Sequence, residues 1–303
     1  MKVPFDAYRI FYFVAKYQSF TRAAKMLLNS QPNVTRAIAR LEDDLGCRLF
    51  IRSNKGVTLT AEGAQLFEHV QVAYDHLQRG ENEIREGQRL LHGHLSIGAS
   101  ESALHGLLLP VLNSFHQAYP GIRLQLSTGT SPQAIDAVRH GLVELALVTT
   151  PAEVRPPLRR QQLMSFRDVL IAGVSFAEEK EQVFTLGNAA GHPMVSLAQH
   201  SATHQLYSRL FSEQHLNWSP EIEVATTAQV LSVVKQDLGI GFVPDFMAQE
   251  ALAHGEVIQL TLAETLPERE ILLVDDSSRP QSTAVQALIR LLEQSGAPSP
   301  RHE

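Results

Sequence analysis

The segment Ser19–Leu45 constrains the fold of this chain more than any other stretch, because its pattern predicts two short helices joined by a tight turn. Ser19 can cap a first helix over Thr21–Leu28, since a serine hydroxyl accepts a hydrogen bond from a backbone N–H at a helix start. Ser30 can cap a second helix, with Pro32 in its first turn, where the N–H that proline lacks would have no partner. The sequence therefore predicts a helix–turn–helix unit.

The second helix of this unit is predicted to be amphipathic. Its apolar residues recur every three to four positions, at Val34, Ile38, Leu41 and Leu45. The outward side carries polar residues instead, namely Gln31, Asn33, Thr35, Arg36 and Arg40. A short helix held by an apolar back, with hydrogen-bond donors in front, fits the major groove of DNA.

Eight residues are candidates for DNA contacts. Gln31, Asn33 and Arg36 are expected at base edges, because arginine pairs with guanine, and asparagine or glutamine with adenine, through two hydrogen bonds. The other candidates are Ser30, Thr35, Arg52 and Lys55, which are expected at phosphates, and Arg40 on the same helix. For any one of them alone, the alternative is an ordinary solvated surface residue.

The flanking segments complete a small domain. A first helix over Phe5–Tyr17 carries a dense apolar face that can pack behind the two-helix unit. Two short strands, 48–52 and 57–59, flank a turn that contains Asn54 and Gly56, which predicts a hairpin. Because Arg52 and Lys55 lie near its tip, this hairpin is expected to act as a wing that reaches phosphates or the minor groove.

Charge is distributed unevenly along the chain. Residues 1–60 contain ten basic and four acidic residues, a net charge of +6, whereas the whole chain has −6 and the remainder therefore −12. A basic module on an acidic body is typical of a DNA-binding regulator, because neutralised phosphates supply most non-specific affinity. Basic patches are also common on other proteins, so the charge alone does not decide between these two interpretations.

A long helix is predicted to begin after Thr60 and to run to about Arg89. Its apolar residues alternate at spacings of three and four, at Phe67, Val70, Tyr74, Leu77, Ile84 and Leu91, interrupted by Glu81 and Gln88. This is a coiled-coil-like seam, which favours a dimerisation helix. The alternative is a long helix that lies on its own domain. The dimer is favoured because the flanking segments offer the helix little local surface.

Strands and helices alternate from about Leu95 onward, after a short hinge at His92–His94. The strands are expected in a parallel sheet, and a helix over Ser100–Tyr119 is expected to break early at Pro110. A second unit of the same kind begins near Val169. The C-terminal part of the chain is therefore predicted to be an α/β fold of two units.

From Tyr8 to Gly63 the sequence resembles the LysR-type transcriptional regulators. The matching positions keep fixed spacings over some fifty residues: Phe11-x-x-Val14-Ala15, Ser19-Phe20-Thr21-x-Ala23-Ala24, Ser30-Gln31-Pro32-x-Val34-Thr35-Arg36, Ile38, Leu41-Glu42, Leu45-Gly46, Leu49-Phe50-x-Arg52 and Leu59-Thr60-x-Glu62-Gly63. Beyond Gly93 the match is architectural, through Gly239–Pro244, the α/β pattern and the total length. Asn33 and Thr35 depart from the small residue and serine that the family often has there, which concerns the DNA sequence that is read.

The resemblance implies an α/β protein with an N-terminal all-α winged helix–turn–helix, a linker helix and a periplasmic-binding-protein-like effector domain of two α/β subdomains. The expected ranges are 1–60 for DNA binding, 61–91 for the linker (dimerisation) helix and 92–296 for the effector domain. Subdomain I is expected over 92–163 and 268–296, subdomain II over 164–267, and a disordered tail over 297–303. A homotetramer built as a dimer of dimers, double-stranded DNA and RNA polymerase are the implied partners.

The effector is expected between the two α/β subdomains, at carboxyl ends of strands and amino ends of helices. Hydroxyl-bearing residues supply the candidates at these loops: Ser100, Ser102, Thr128, Thr149, Ser201, Thr203 and Thr226. A small-molecule carboxylate suits them, although Glu101 at the mouth argues against a strongly anionic ligand. The alternative for any single residue is ordinary helix capping.

The sequence offers less support for a metalloprotein, an enzyme or a membrane protein. The histidines have no spacing that gathers a tetrahedral metal site, and no nucleophile elbow or phosphate loop occurs, so no metal, cofactor or catalytic residue is expected. Cys47 is the only cysteine, and no apolar run suggests a membrane span or signal peptide, so a cytoplasmic protein is expected. Two alternatives stay open: a solute-binding or enzymatic α/β protein with an appended helical dimerisation domain, and a regulator without an effector.

Overall fold

A computed structural model of the chain describes residues 3–53, 56–86 and 93–296. Three sequence predictions lie outside these residues: the hairpin tip with Lys55, the end of the long helix with Leu91, and the tail over 297–303. The chain divides into two units, Met1–Gly87 and Gln88–Glu303.

The first unit has the predicted order of elements. They are α1 (Phe5–Tyr17), α2 (Phe20–Met26), α3 (Gln31–Leu45), β1 (Phe50–Ser53), β2 (Gly56–Leu59) and α4 (Ala61–Glu86). Ser19 caps α2, since its Oγ accepts a hydrogen bond from the Arg22 N–H at 3.3 Å. Thr60 caps α4 in the same way, with 2.9 Å between its Oγ1 and the Gly63 nitrogen. The predicted stop after α3 is also confirmed, because Gly46 has a left-handed backbone with φ of 72°.

Three details of the helix–turn–helix differ from the prediction. The helix α2 ends at Met26 rather than Leu28, and Leu28 has a positive φ of 51° in the turn. Ser30 holds the N-cap position of α3, but its side chain makes no capping bond; the Asn29 Oδ1 accepts from the Ser30 N–H instead. Leu45 is 39% exposed, since it is the last helical residue and lies beyond the core that buries the preceding turns.

The core of the first unit forms where α1, α2 and α3 meet. Phe11 of α1, Ala23 of α2 and Ile38 of α3 are all completely buried. The predicted apolar back of α3 is thereby confirmed at Val34 and Leu41 as well, which are also fully buried. Burial of this face fixes the opposite, polar face of α3 toward the outside.

The first half of α4 packs against the core of its own unit, contrary to the sequence prediction. Val70 belongs to the core of the first unit, and Tyr74 stacks on Tyr12 of α1 with 4.3 Å between ring centroids. Phe67 also stacks on Tyr12, at 5.9 Å. The idea that α4 has little local surface to pack on is therefore wrong for its first half. Further along, Leu77 is 50% exposed.

A buried carboxylate joins α3 to the hairpin. Glu42 is 4% exposed, and its Oε1 accepts from the backbone N–H of Leu49 at 2.8 Å and of Phe50 at 3.3 Å. Its Oε2 accepts from the Arg48 guanidinium at 2.7 Å. Burial by itself raises the pKa of Glu42, but the bonds from Leu49, Arg48 and Phe50 outweigh it, so this pKa is lowered below the ordinary value of 4.5.

Because the pKa of Glu42 is lowered in the folded state, its stabilisation is complete above pH 4.5 and is lost as the pH falls through the folded pKa. We expect Glu42→Gln to reduce the free energy of unfolding at pH 7 by about 1–3 kcal/mol and to flatten the loss of stability in acid. Urea denaturation of the first unit at a series of pH values, followed by tyrosine near-ultraviolet circular dichroism, measures both effects. Glu68→Gln, at an exposed position of α4, is the control and should change neither.

The second unit contains two mixed sheets, and the first of them defines the first lobe. Its strands are, in spatial order, β4 (Ile122–Gly129), β3 (Gly93–Ser100), β5 (Leu145–Thr149), β13 (Arg269–Asp276) and β6 (Leu158–Phe166). The strands β3, β4 and β5 are parallel, whereas β13 runs antiparallel to β5 and β6. The predicted parallel arrangement is therefore confirmed for β3, β4 and β5 and wrong for β13, and the strand β6, whose side chains are mostly polar, was missed.

The second sheet defines the second lobe. Its strands are, in spatial order, β10 (Ile222–Val224), β9 (Met194–Leu197), β11 (Ile240–Pro244), β7 (Asp168–Ala172), β12 (Ile258–Leu262) and β8 (Val183–Phe184). The short strands β8 and β12 were also missed by the sequence patterns. The first sheet continues through Phe166 and the second begins at Asp168, so the expected subdomain boundary at 163/164 falls inside β6.

Helices cover both faces of each sheet. They are α5 (Glu101–Ala103), α6 (Leu109–Ala118), α7 (Ser131–Arg139), α8 (Leu186–Ala189), α9 (Ala202–Glu213), α10 (Thr227–Val234), α11 (Asp245–Ala253) and α12 (Thr283–Gly296), with a 3-10 turn at Val174–Glu179. Pro110 does not break the helix as predicted, because Leu104–Leu108 takes π-helical geometry and Pro110 then lies in the first turn of α6. Two apolar clusters flank each sheet and form the cores of the lobes.

Candidate functional site

The polar face of α3 is the first candidate site. Its predicted residues Gln31, Asn33, Arg36 and Arg40 are exposed, as is Ser30 just before the helix, while Thr35 is half-buried. The structure therefore brings these six candidates together on one helix. It describes only the backbone of Arg52, which pairs with Val57 in the hairpin.

Side chains on this face are ordered by hydrogen bonds with one another. The Arg36 Nη2 donates to the Asn33 Oδ1 at 2.5 Å, and the Asn33 Nδ2 donates to the Asn29 Oδ1 at 3.0 Å. Arg40 makes a long ion pair with Asp44, at 4.0 Å. The chain from Asn29 to Arg36 holds an amide and a guanidinium on the solvent side, where both can exchange partners for base edges.

A cavity of about 670 Å³ between the two lobes is the second candidate site. All seven predicted effector residues line it: Ser100, Ser102, Thr128, Thr149, Ser201, Thr203 and Thr226. They meet because β3, β4 and β5 are parallel and end at the same edge, which faces the amino ends of α9 and α10 in the second lobe. The cavity is not filled by side chains of the described residues, which does not support a regulator without an effector.

The predicted hydroxyls differ in how far the protein already uses them. The Ser201 Oγ accepts from the His204 N–H at 3.0 Å, and the Thr226 Oγ1 accepts from the Gln229 N–H at 3.3 Å, so both residues cap helices. Ser100 also holds a helix N-cap position, but its side chain makes no capping bond. Its Oγ is buried without a hydrogen-bond partner among the described residues, which marks it as an open binding group.

Two contacts cross the cavity from one lobe to the other. The Glu101 Oε2 accepts from the Ala228 N–H at the start of α10, at 3.1 Å. The hydroxyls of Ser102 and Thr227 lie 3.4 Å apart. The amino ends of the first helix of one lobe and of α10 in the other are thus in contact.

The sequence patterns missed the residue that organises the floor of this site. Arg269, the first residue of β13, is 3% exposed. Its guanidinium donates to the Thr203 Oγ1 at 3.0 Å, to the Thr149 Oγ1 at 3.4 Å and to the Thr150 carbonyl oxygen at 2.8 Å. A single arginine before an apolar strand gave no signal in the sequence, because its partners come from distant segments.

Arg269 is paired with a buried carboxylate of the second lobe. Its Nη1 lies 2.7 Å from the Asp168 Oδ2, and Asp168 is only 5% exposed. The Tyr207 hydroxyl donates to the same oxygen at 2.5 Å. Burial, together with the neighbouring charge of Asp168, raises the pKa of Tyr207 well above its ordinary value, so the phenol stays a donor. This network connects the two lobes beneath the cavity.

Both units match models of one protein family. Residues 5–64 match the model described as "Bacterial regulatory helix-turn-helix protein, lysR family", and residues 88–297 match the "LysR substrate binding domain". The chain belongs to the LysR family of transcriptional regulators. It is thus a DNA-binding transcriptional regulator with an effector-responsive domain, and not an enzyme.

Curated LysR-family relatives extend over most of the chain. The transcriptional activator protein LysR of Escherichia coli (strain K12) is 29% identical over 281 residues, which cover 92% of this chain and 88% of the relative. The HTH-type transcriptional regulator BbuR of Bordetella bronchiseptica (strain ATCC BAA-588 / NCTC 13252 / RB50) is 29% identical over 267 residues, with coverages of 87% and 80%. Membership of this family decides against the alternative of a solute-binding or enzymatic protein.

A solved structure shares the fold. Full-length CbnR in complex with its target DNA superposes with a TM-score of 0.71 at 19% identity, and the match covers 96% of this chain and 99% of that one. Among the described residues, no group of three His, Cys, Asp or Glu residues could hold a metal ion. No helix of the described part of the chain is long and apolar enough to cross a membrane.

Proposed function

We propose that the polar face of α3 reads the bases of a DNA major groove through Gln31, Asn33 and Arg36. Three observations support this assignment: the side chains are exposed, Val34, Ile38 and Leu41 on the opposite face of α3 are fully buried, and hydrogen bonds order the Asn33 and Arg36 groups. The remaining candidates bind the backbone or assist at the groove: Ser30, Thr35, Arg40, Arg52 and Lys55. In this proposal residues 1–60 form the DNA-binding domain.

The cavity between the lobes is proposed as the effector site. The observation that supports it best is that seven hydroxyls, predicted from loops far apart in the sequence, line one cavity of about 670 Å³. Hydroxyls and backbone N–H groups at helix starts suit a carboxylate. By binding two arrangements of the lobes unequally, the effector shifts their populations and so alters DNA bending or the contact with RNA polymerase.

A homo-oligomer, organised as a dimer of dimers, completes the proposal. Leu77 of α4 lies on the same seam as Val70 and Tyr74, which pack against the first unit, but Leu77 is 50% exposed. Its apolar side chain is therefore available to contact a second copy of the chain. Paired recognition helices would then enter successive major grooves about 34 Å apart. Residues 61–91 serve as the linker helix and 92–296 as the effector domain of a cytoplasmic regulator.

Replacement of Arg36 tests the proposed groove reader. We expect Arg36→Ala to cost about 1–3 kcal/mol of discrimination at one base pair, because a bidentate contact to guanine is lost. Arg36→Lys should lose the same discrimination but keep the salt dependence, since lysine retains the charge without the planar fork. Operators selected from random DNA, followed by anisotropy titrations of each single-base variant at several salt concentrations, give both quantities.

The control is Arg139→Ala, which removes an exposed arginine of the effector domain that pairs with Asp136. It should leave both discrimination and the salt slope unchanged. If Arg36→Ala binds every variant operator with the wild-type pattern at fixed salt, Arg36 does not read a base.

A further inference from the structure

The charged groups that line the cavity have one sign. Its described lining residues include two carboxylates, Glu101 and Glu223, and two histidines, His105 and His200, but neither lysine nor arginine. Arg269 lies beneath the floor, where Asp168 neutralises it. A ligand with two negative charges would therefore meet carboxylates with no lysine or arginine in the described lining to balance them, which disfavours dicarboxylates and phosphates.

One part of the cavity nevertheless offers donors to a single carboxylate. The Ser100 hydroxyl is buried, lines the cavity and has no partner among the described residues. The Thr203 hydroxyl accepts from the Arg269 guanidinium at 3.0 Å, so its own proton points away from that cation and is available to a ligand.

An acceptor for a cation lies directly beside these donors in the sequence. Glu101 follows Ser100, and its Oε2 is held by the Ala228 N–H at 3.1 Å. Its Oε1 has no partner among the described residues, so one carboxylate oxygen is free while the other fixes the group in place. A carboxylate that is held in this way is suited to accept from an ammonium group.

We propose that the effector is an amino acid, whose carboxylate binds the hydroxyls of Ser100 and Thr203 and whose ammonium group binds Glu101. This inference rests on the proposed effector function of the cavity and adds the chemical class of the ligand. A cavity of about 670 Å³ has room for the side chain of any common amino acid as well. Because Glu101 also contacts α10, the ammonium group acts at the point where the two lobes touch.

Matched ligands test the proposal on the full-length protein. Isothermal titration calorimetry would compare the twenty L-amino acids, β-alanine and 4-aminobutyrate with the same acids without the amino group, such as propanoate for alanine and glutarate for glutamate. We expect at least one amino acid to bind about tenfold or more tightly than its deaminated partner, because a charge-assisted hydrogen bond is lost. Equal or tighter binding of the deaminated acids, or no binding of any amino acid, overturns the proposal.

Two isosteric variants identify the carboxylate. Glu101→Gln keeps an acceptor for the Ala228 N–H, and it should reduce the preference for the amino acid to about twofold or less while binding of the deaminated acid persists. Glu223→Gln, at the exposed rim of the cavity, should keep the full preference. If only Glu223→Gln removes the preference, or if neither variant does, the assignment to Glu101 is wrong.

Failure of this inference is distinguishable from failure of the proposed function. Anisotropy titrations with operator DNA, run on the same samples, report DNA binding with and without each ligand. If glutarate or propanoate binds and changes the DNA affinity, the cavity is an effector site but the amino-acid class is wrong. If amino acids bind with the expected preference and the DNA affinity stays the same, the ligand class holds and the regulatory role does not.

Discussion

Arg269→Met is expected to lower the free energy of unfolding of the second unit by about 3–5 kcal/mol. The variant removes the cation beside Asp168, whose carboxylate is 5% exposed and, among the described residues, would keep the Tyr207 hydroxyl as its one donor. It also removes the donor to Thr203 and Thr149, so the lobes lose a connection beneath the cavity. Urea denaturation followed by the fluorescence of Trp218, the single tryptophan of the chain, reports on this unit directly.

Two further variants separate loss of the pair from a general effect of arginine removal. Asp168→Asn combined with Arg269→Met should recover part of the lost stability, since no buried charge then remains without a partner. Arg155→Met, at an exposed arginine that pairs with exposed Glu153, should change stability little. If Arg269→Met unfolds at the wild-type urea concentration, the network beneath the cavity does not stabilise the second unit.

Gly63→Ala is expected to destabilise the first unit by about 3 kcal/mol. Gly63 lies in the first turn of α4, and a Cβ there would come well under 3.0 Å from the carbonyl oxygen of Leu49, which no flexible side chain can relieve. That carbonyl already accepts from the Thr60 N–H at 3.0 Å, so the backbone of the hairpin and the start of α4 would have to separate. Hydrogen exchange of residues 5–64 and operator binding at rising temperature measure the loss.

The same helix supplies the control. A Cβ on Gly80 meets nothing within 4 Å, so Gly80→Ala should stabilise α4 by about 0.5–1 kcal/mol through helix propensity alone. If the two glycine-to-alanine changes in this helix alter the free energy of unfolding in opposite directions, the close approach of the Leu49 carbonyl oxygen to residue 63 is the cause. Wild-type exchange and binding in Gly63→Ala would mean that the hairpin moves aside without cost.

Local sequence patterns predicted the structure correctly where burial and capping depend on residues within one helix. The spacing of Val34, Ile38 and Leu41 predicted the buried face of α3, and all three are fully buried. The caps Ser19 and Thr60 were also found, because each acts on a backbone N–H three residues away. Ser30 shows the limit of this reasoning, since the Asn33 N–H that its hydroxyl would accept from donates to the Ser30 carbonyl oxygen instead, at 3.1 Å.

Predictions were wrong where the structure of one segment depends on its contacts with a distant segment. The sequence predicted that the apolar seam of α4 is free to bind a second copy. In the structure Tyr74 stacks on Tyr12, because the fold places α4 against α1. The apolar residues of β6 do not alternate with polar ones, so this segment carries little periodic signal, and pairing with β13 makes it a strand. The predicted parallel order is wrong at β13 for the same reason, since β13 comes from the far end of the chain and runs antiparallel to β5.

By itself the sequence determined the family, the helix–turn–helix with its outward polar face, and the hydroxyl residues at the ends of the strands. These follow from periodicity, capping and local motifs, which act over a few residues. Only the tertiary structure decided that seven hydroxyls share one cavity, that Glu101 reaches α10, and that Arg269 pairs with Asp168. Those contacts join residues about a hundred positions apart, and a buried charge pair forms only where folding removes water from both groups.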